Sequence, residues 1–224
     1  MSRLATIVVV LLLGGTAAAF VYTQGLKQTK SPIVSTRVVK PFSPVCNCPT
    51  RAARIRFGLR KPDHVSISIL DSGGHVVRTL FTSKAIKSGF HGFSWDGRTD
   101  DGTLAKDGVY KARVDLDDAD RTITLPNKIT LDTVPPRVTG ARARLSKDLL
   151  TVVYSVSEPA HGLLFVDGRR VVKRNSSKLR STMQVPLTYL RQRGLAGQIA
   201  VGAEDLAGNL ARLRVLNTRV KAGG

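Results

Sequence analysis

The stretch GFHGFSWDGRTDDGTLAKDGVY, from Gly89 to Tyr110, combines a strand pattern with a dense run of turn residues. Phe93 and Trp95 alternate across Ser94, which is the two-residue period of a strand with one buried face. Asp96-Gly97, Asp100 and Gly102 then crowd into seven residues, and such residues mark tight turns. Val109 to Val114 resumes a β-rich run. Upstream, Ile55, Phe57 and Leu59 alternate with Arg54, Arg56 and Gly58. Val65, Ile67 and Ile69 alternate with Ser66 and Ser68, and the DSGG turn at Asp71 separates them from Val76 to Phe81. With Arg121 to Leu125 these segments predict six or seven short strands at about ten-residue spacing, the pattern of an antiparallel sandwich.

The most specific string here is W-D-G-x-x-D-x-G-x-x-x-x-x-G-x-Y, carried by Trp95, Asp96, Gly97, Asp100, Gly102, Gly108 and Tyr110. Together with FSP at Phe42, ARIRFGL and VSISILDSGGHVVRTL, it resembles the Ig-like domain of the flagellar hook-capping protein, over roughly residues 41–116. The residues themselves read as structural. Trp95 and Tyr110 are large core fillers with one polar handle each. The three glycines suit turns with positive φ, and Asp96 and Asp107 can accept bonds from turn amides. Members of that family commonly carry an acid-rich loop after FSP. Here the loop reads Val45-Cys46-Asn47-Cys48, which lacks the several oxygens a hard cation wants.

A second module is expected from the Asp132 to Pro136 string DTVPP, since paired prolines force extended backbone. Leu150, Val152, Tyr154 and Val156 alternate as one buried strand face. Asp167-Gly168 is a strong hairpin signal. Ile199, Val201 and Ala203 run into EDLAGN, Glu204 to Asn209. SEPA at Ser157 and AEDLAGN at Ala203 are similar to motifs of Ig- and fibronectin-like repeats in bacterial surface proteins. Only the segment from Thr188 to Gly194 suits a helical turn. The expected fold class is therefore all-β, two tandem Ig-like antiparallel sandwiches over residues 41–132 and 133–224, after an N-terminal helix.

That helix is expected over residues 1–24. An uncharged, mostly apolar run from Leu4 to Tyr22 follows Arg3, and about 20 apolar residues suffice to cross a bilayer. The same run also reads as a cleaved signal with an A-x-A site at Ala17 to Ala19. The anchor is favoured, because the apolar run continues through Phe20, Val21 and Tyr22. Either way the remainder is exported. Residues 25–40 read as a basic tether without strong periodicity.

The chain has 224 residues with a net charge of +19, distributed as +5 over residues 1–40, +3 over 41–132 and +11 over 133–224. A basic surface attracts polyanions. Arg169, Arg170, Lys173, Arg174, Lys178 and Arg180 form the candidate patch, against the alternative of a solvated charged hairpin. Outside the cytoplasm its partners are anionic wall polymer or anionic lipid. Nucleic acid is not expected, since base-stacking aromatics are lacking there. Another envelope protein is the remaining partner class.

Catalytic constellations are sparse. His64, His75, His91 and His161 stand singly, without ligand spacing. No nucleophile elbow, zinc helix or phosphate loop occurs. The acidic run Asp115, Asp117, Asp118, Asp120 fails the calcium-loop spacing and reads as a hairpin tip. No cofactor is implied. Cys46 and Cys48 form a local disulfide in an oxidising compartment, bridge to other chains, or bind a soft metal. The function expected is non-enzymatic: a membrane-anchored, extracytoplasmic binding or structural protein of the cell envelope. The alternatives are a secreted wall-polymer binder and an accessory subunit of an envelope enzyme.

Overall fold

The computed structural model describes residues 3–27, 30–38, 41–176 and 178–221, and within the first helix the side chains of residues 7–20. That helix, α1 (Arg3–Lys27), carries no charge between its terminal Arg and Lys. Its seven consecutive aliphatics from Ile7 to Leu13 are 49–70% exposed. Among the described residues no helix is long and apolar enough to cross a membrane. The side chains at both ends of the run from Leu4 to Tyr22 lie outside those described.

The first sandwich has two antiparallel sheets. One contains β1 (Ile33–Val38), β2 (Ala53–Leu59) and β5 (Gly89–Trp95), in the order β1-β2-β5. The other runs β4-β3-β6-β7, from β3 (Asp63–Leu70), β4 (Val76–Ile86), β6 (Gly108–Leu116) and β7 (Arg121–Thr124). A short β8 (Ile129–Leu131) also pairs with β6. Alternation decides what goes inside. Ala53, Ile55 and Phe57 are fully buried, as are Val65, Ile67 and Ile69 of the facing sheet, while Arg54 and Arg56 point to solvent. Burying one such aliphatic contributes roughly 1.5–3 kcal/mol, which is why the period of two is obeyed.

β1 corrects the tether expected over residues 25–40. Ile33 joins the buried core, Val38 packs against it, and the strand pairs with β2, Val38 opposite Ile55. A bulge between Ile33 and Thr36 breaks the strict alternation, and for that reason the segment lacks a strand period in sequence.

The second sandwich pairs a sheet ordered β13-β10-β9 with one ordered β12-β11-β14-β15. The first contains β9 (Val138–Leu145), β10 (Leu149–Val156) and β13 (Arg180–Pro186). The second contains β11 (His161–Val166), β12 (Arg169–Arg174), β14 (Gly197–Glu204) and β15 (Arg214–Val220). One helical turn, α2 (Leu187–Gln192), buries Leu187 and Leu190. Asp167 and Gly168 both take positive φ, 50° and 73°, between the paired Val166 and Arg169. A two-residue hairpin of this kind matches the right-handed twist of its strands.

Candidate functional site

The tryptophan motif is a structural knot. Trp95 is completely buried at the end of β5, and its Nε1–H donates to the Arg98 carbonyl at 2.7 Å. Its ring meets Tyr110 edge-on at 4.9 Å and Phe42 at 5.5 Å. The Tyr110 hydroxyl donates to Lys106 O at 2.5 Å. Asp96 accepts the Arg98 amide, and Asp100 accepts the Thr79 amide of β4 at 2.9 Å. Gly97 and Gly102 have φ of 79° and 82°, whereas Gly108 opens β6 and lies outside that region, contrary to the expectation for all three glycines. Asp101, absent from the motif as read in the sequence, accepts the hydroxyls of Thr99 and Thr103 and the Thr103 amide. The Thr99 hydroxyl above all, then the Thr103 amide and hydroxyl, pull its carboxyl down from 3.8 to about 2.

The second constellation is the junction of the sandwiches. Cys46 and Cys48 are joined by a disulfide, and both sulfurs lie 3.8–3.9 Å from the Ala207 carbonyl oxygen. Thr50 donates to the same oxygen at 2.6 Å. Beneath it, the EDLAGN loop is held by one buried carboxylate. Asp205 Oδ1 accepts the amides of Gly208 and Asn209 at 2.7 and 2.9 Å, and Oδ2 accepts the Asn209 side-chain amide at 2.8 Å. The other Asn209 Nδ2 bond reaches Asp132 O in the DTVPP string, at 2.9 Å. Asp107 accepts the Thr133 amide and hydroxyl, tying the string to the first sandwich. Burial first, and then neighbouring carboxylates, push Glu158 and Asp132 up from their ordinary values, although the Val134 amide partly offsets this at Asp132. The bonds from Thr50 to Ala207 and from Asn209 to Asp132 escape sequence reasoning, because they join positions 157 and 77 apart.

A cleft of about 500 Å³ opens here, with Val45, the disulfide and Pro49 on one wall and Arg170, Lys173, Glu204 and Leu210 on the other. The six predicted basic residues are all exposed. Arg169, Arg170, Lys173 and Arg174 lie on β12, an edge strand. Lys178 lies in the following connection, and Arg180 opens β13, the edge of the other sheet. Lys173 is engaged by Glu204 at 2.7 Å. Among the described residues no ion pair involves the other five. Charges on an edge strand also discourage edge-to-edge pairing.

The acidic run is dispersed among separate bonds. Asp115 meets Arg113 and Thr122, Asp117 accepts Ser83, and Asp118 pairs with His64. His75 pairs with Asp71, His91 bonds Lys87 O, and among the described residues His161 Nδ1 is buried without a partner. Among the described residues no group of three or more His, Cys, Asp or Glu is placed to hold a metal.

Residues 50–120 match the family described as FlgD Ig-like domain. The basal-body rod modification protein FlgD of Salmonella typhimurium is 40% identical over 57 residues, which is 25% of this chain and 24% of that protein. The match thus spans about a quarter of the relative's length. Among solved structures, FlgD from P. aeruginosa aligns at a TM-score of 0.30 and 17% identity, over 57% of this chain and 90% of that one. The human OSCAR ligand-binding domain aligns at 0.42 and 10%, over 83% of this chain and all of that one.

Proposed function

We propose that this chain, in which residues 50–120 form an Ig-like domain of the FlgD family, is a non-enzymatic, membrane-anchored structural or binding protein displayed outside the cytoplasm. The supporting observation is the Cys46–Cys48 disulfide at the contact between the sandwiches. A disulfide persists in an oxidising compartment, and the exported reading of the uncharged run from Leu4 to Tyr22 supplies one. The exposed aliphatics of α1 find a solvent in lipid. Two sandwiches tied through Thr50, Asn209 and Asp132 make a semi-rigid arm. Such an arm suits spacing or adhesion more than chemistry. The FlgD relative is matched over a quarter of its length, so its role as a whole is not carried over to this chain. Membrane fractionation with N-terminal sequencing tests the anchor. The expected result is a chain that stays in carbonate-washed membranes with residues 1–22 intact. A mature chain beginning near Phe20 overturns it.

A second reading, polyanion binding by the second sandwich, is favoured by the five basic residues that have no ion-pair partner among the described residues. Full-length protein on an immobilised anionic wall polymer should elute early in a salt gradient when Arg169, Arg170 and Arg174 are changed to Gln, because released counterions drive such association. Unchanged elution leaves these charges as a solubility feature.

A further inference from the structure

The outer face of the β1-β2-β5 sheet carries an arrangement that the sandwich does not need. Arg37 and Arg56 are direct cross-strand partners, both exposed, and Arg54 lies two residues along the same face. Like charges set opposite each other destabilise a sheet. None of the three strands contains an acidic residue. Among the described residues no ion pair involves any of these arginines.

Beside them sits an exposed aromatic. Phe90 is 69% exposed and lies opposite Gly58. A Cβ at position 58 would stand 3.1 Å from the Phe90 ring and 2.7 Å from Val34 Cγ2, so both side chains rest over bare backbone. Val34 is itself 43% exposed. The stem of Arg56 passes Gly92 in the same way, 3.6 Å from where a Cβ would be. The product is an open depression of about 410 Å³ lined by Ser35, Thr36, Arg37, Arg56 and Phe90.

We propose that this face docks on an anionic lipid surface. Phe90 and Val34 enter the boundary between headgroups and acyl chains, and Arg37, Arg54 and Arg56 engage lipid phosphates. An amphipathic surface of this composition binds through apolar burial plus headgroup attraction. The proposal rests on reading the N-terminal segment as an anchor. Six residue steps separate Lys27, the end of α1, from Ile33, the start of β1. That is at most about 20 Å of chain, so the face is held beside the bilayer at high effective concentration. A hydrated acidic polymer would meet the arginines but has no acyl layer to take up Phe90 and Val34.

The test uses the full chain carrying Phe90→Trp, mixed with phosphatidylcholine vesicles or with vesicles that also contain phosphatidylglycerol, both with brominated acyl chains. Trp95 is fully buried and supplies a constant background. The expected result is quenching of the new indole with the anionic vesicles, weaker with the zwitterionic ones and weaker in high salt. Changing Arg37, Arg54 and Arg56 to Gln should lower the docked-to-free ratio by about fivefold per residue. A chain that floats with both vesicle types while its new indole stays open to aqueous iodide overturns the docking and keeps the anchor. Flotation with the anionic vesicles alone overturns the anchor and keeps the docking. Protection of the indole by a soluble polyuronate, and not by anionic vesicles, overturns the lipid as occupant.

Discussion

Thr50 of the first sandwich donates its hydroxyl to the carbonyl of Ala207 in the second at 2.6 Å, with the Cys46–Cys48 disulfide seated beside the same carbonyl. The DTVPP string is therefore bonded on both sides, through Asp107 to Thr133 and through Asn209 to Asp132. The loop after FSP, through Cys46, Cys48 and Thr50, serves here as the docking surface for the EDLAGN loop.

Gly208→Ala tests that contact. Gly208 has φ of 99°, and a Cβ there would collide with Cys48 Sγ and stand 2.8 Å from Thr50 Oγ1. Positive φ alone costs an L residue about 1–2 kcal/mol, and the collision adds to it. A drop of at least that size in chemical denaturation is expected, with faster proteolysis across residues 132–137. Wild-type behaviour on both measures would mean that the loops do not pack.

Trp95→Ala removes the centre of the first core and should cost about 3–5 kcal/mol. Trp95→Phe keeps most of the volume but leaves Arg98 O without its donor, a loss of roughly 1–3 kcal/mol. Urea denaturation measures both. A loss under about 1 kcal/mol for the alanine variant would contradict the burial of this ring.

Asp101 should titrate near 2 when followed by carboxyl NMR. Its folded value is depressed, so the stability it contributes is present above the ordinary value of 3.8 and is lost as pH falls toward 2. The contribution is small because the group is exposed. Thr99→Val should move the titration back toward 3.8, since the Thr99 hydroxyl is the main cause of the shift. An unchanged titration in that variant would assign the shift elsewhere.

Glu158 shows the opposite sign. Burial first, then Asp132 and Asp205, raise it above 4.5, so the folded chain holds its proton more readily than the unfolded one. Stability should fall as pH rises through the window above 4.5 and then level off. Glu158→Gln should flatten that slope and leave the protein at least as stable at neutral pH. Thermal unfolding across the window measures it, and an unaltered slope would clear Glu158 of the effect.

Features that depend on near neighbours are legible in the local pattern. Alternation in ARIRFGL and VSISIL selected strands, because burying one face is worth more than any competing local preference. Asp167-Gly168 selected a hairpin through backbone conformation alone, and W-D-G marked a turn. Features that depend on distant partners arise only in the folded chain. IVSTRV became β1 because β2, some 20 residues on, supplied its hydrogen bonds and a site for Ile33. Arg37 came to face Arg56, and Phe90 to lie over Gly58, only once register was set across two strand pairs. The Cys46–Cys48 loop gained its partner loop from roughly 160 residues away. Such contacts form only after the chain closes long loops, and no short-range pattern encodes that closure.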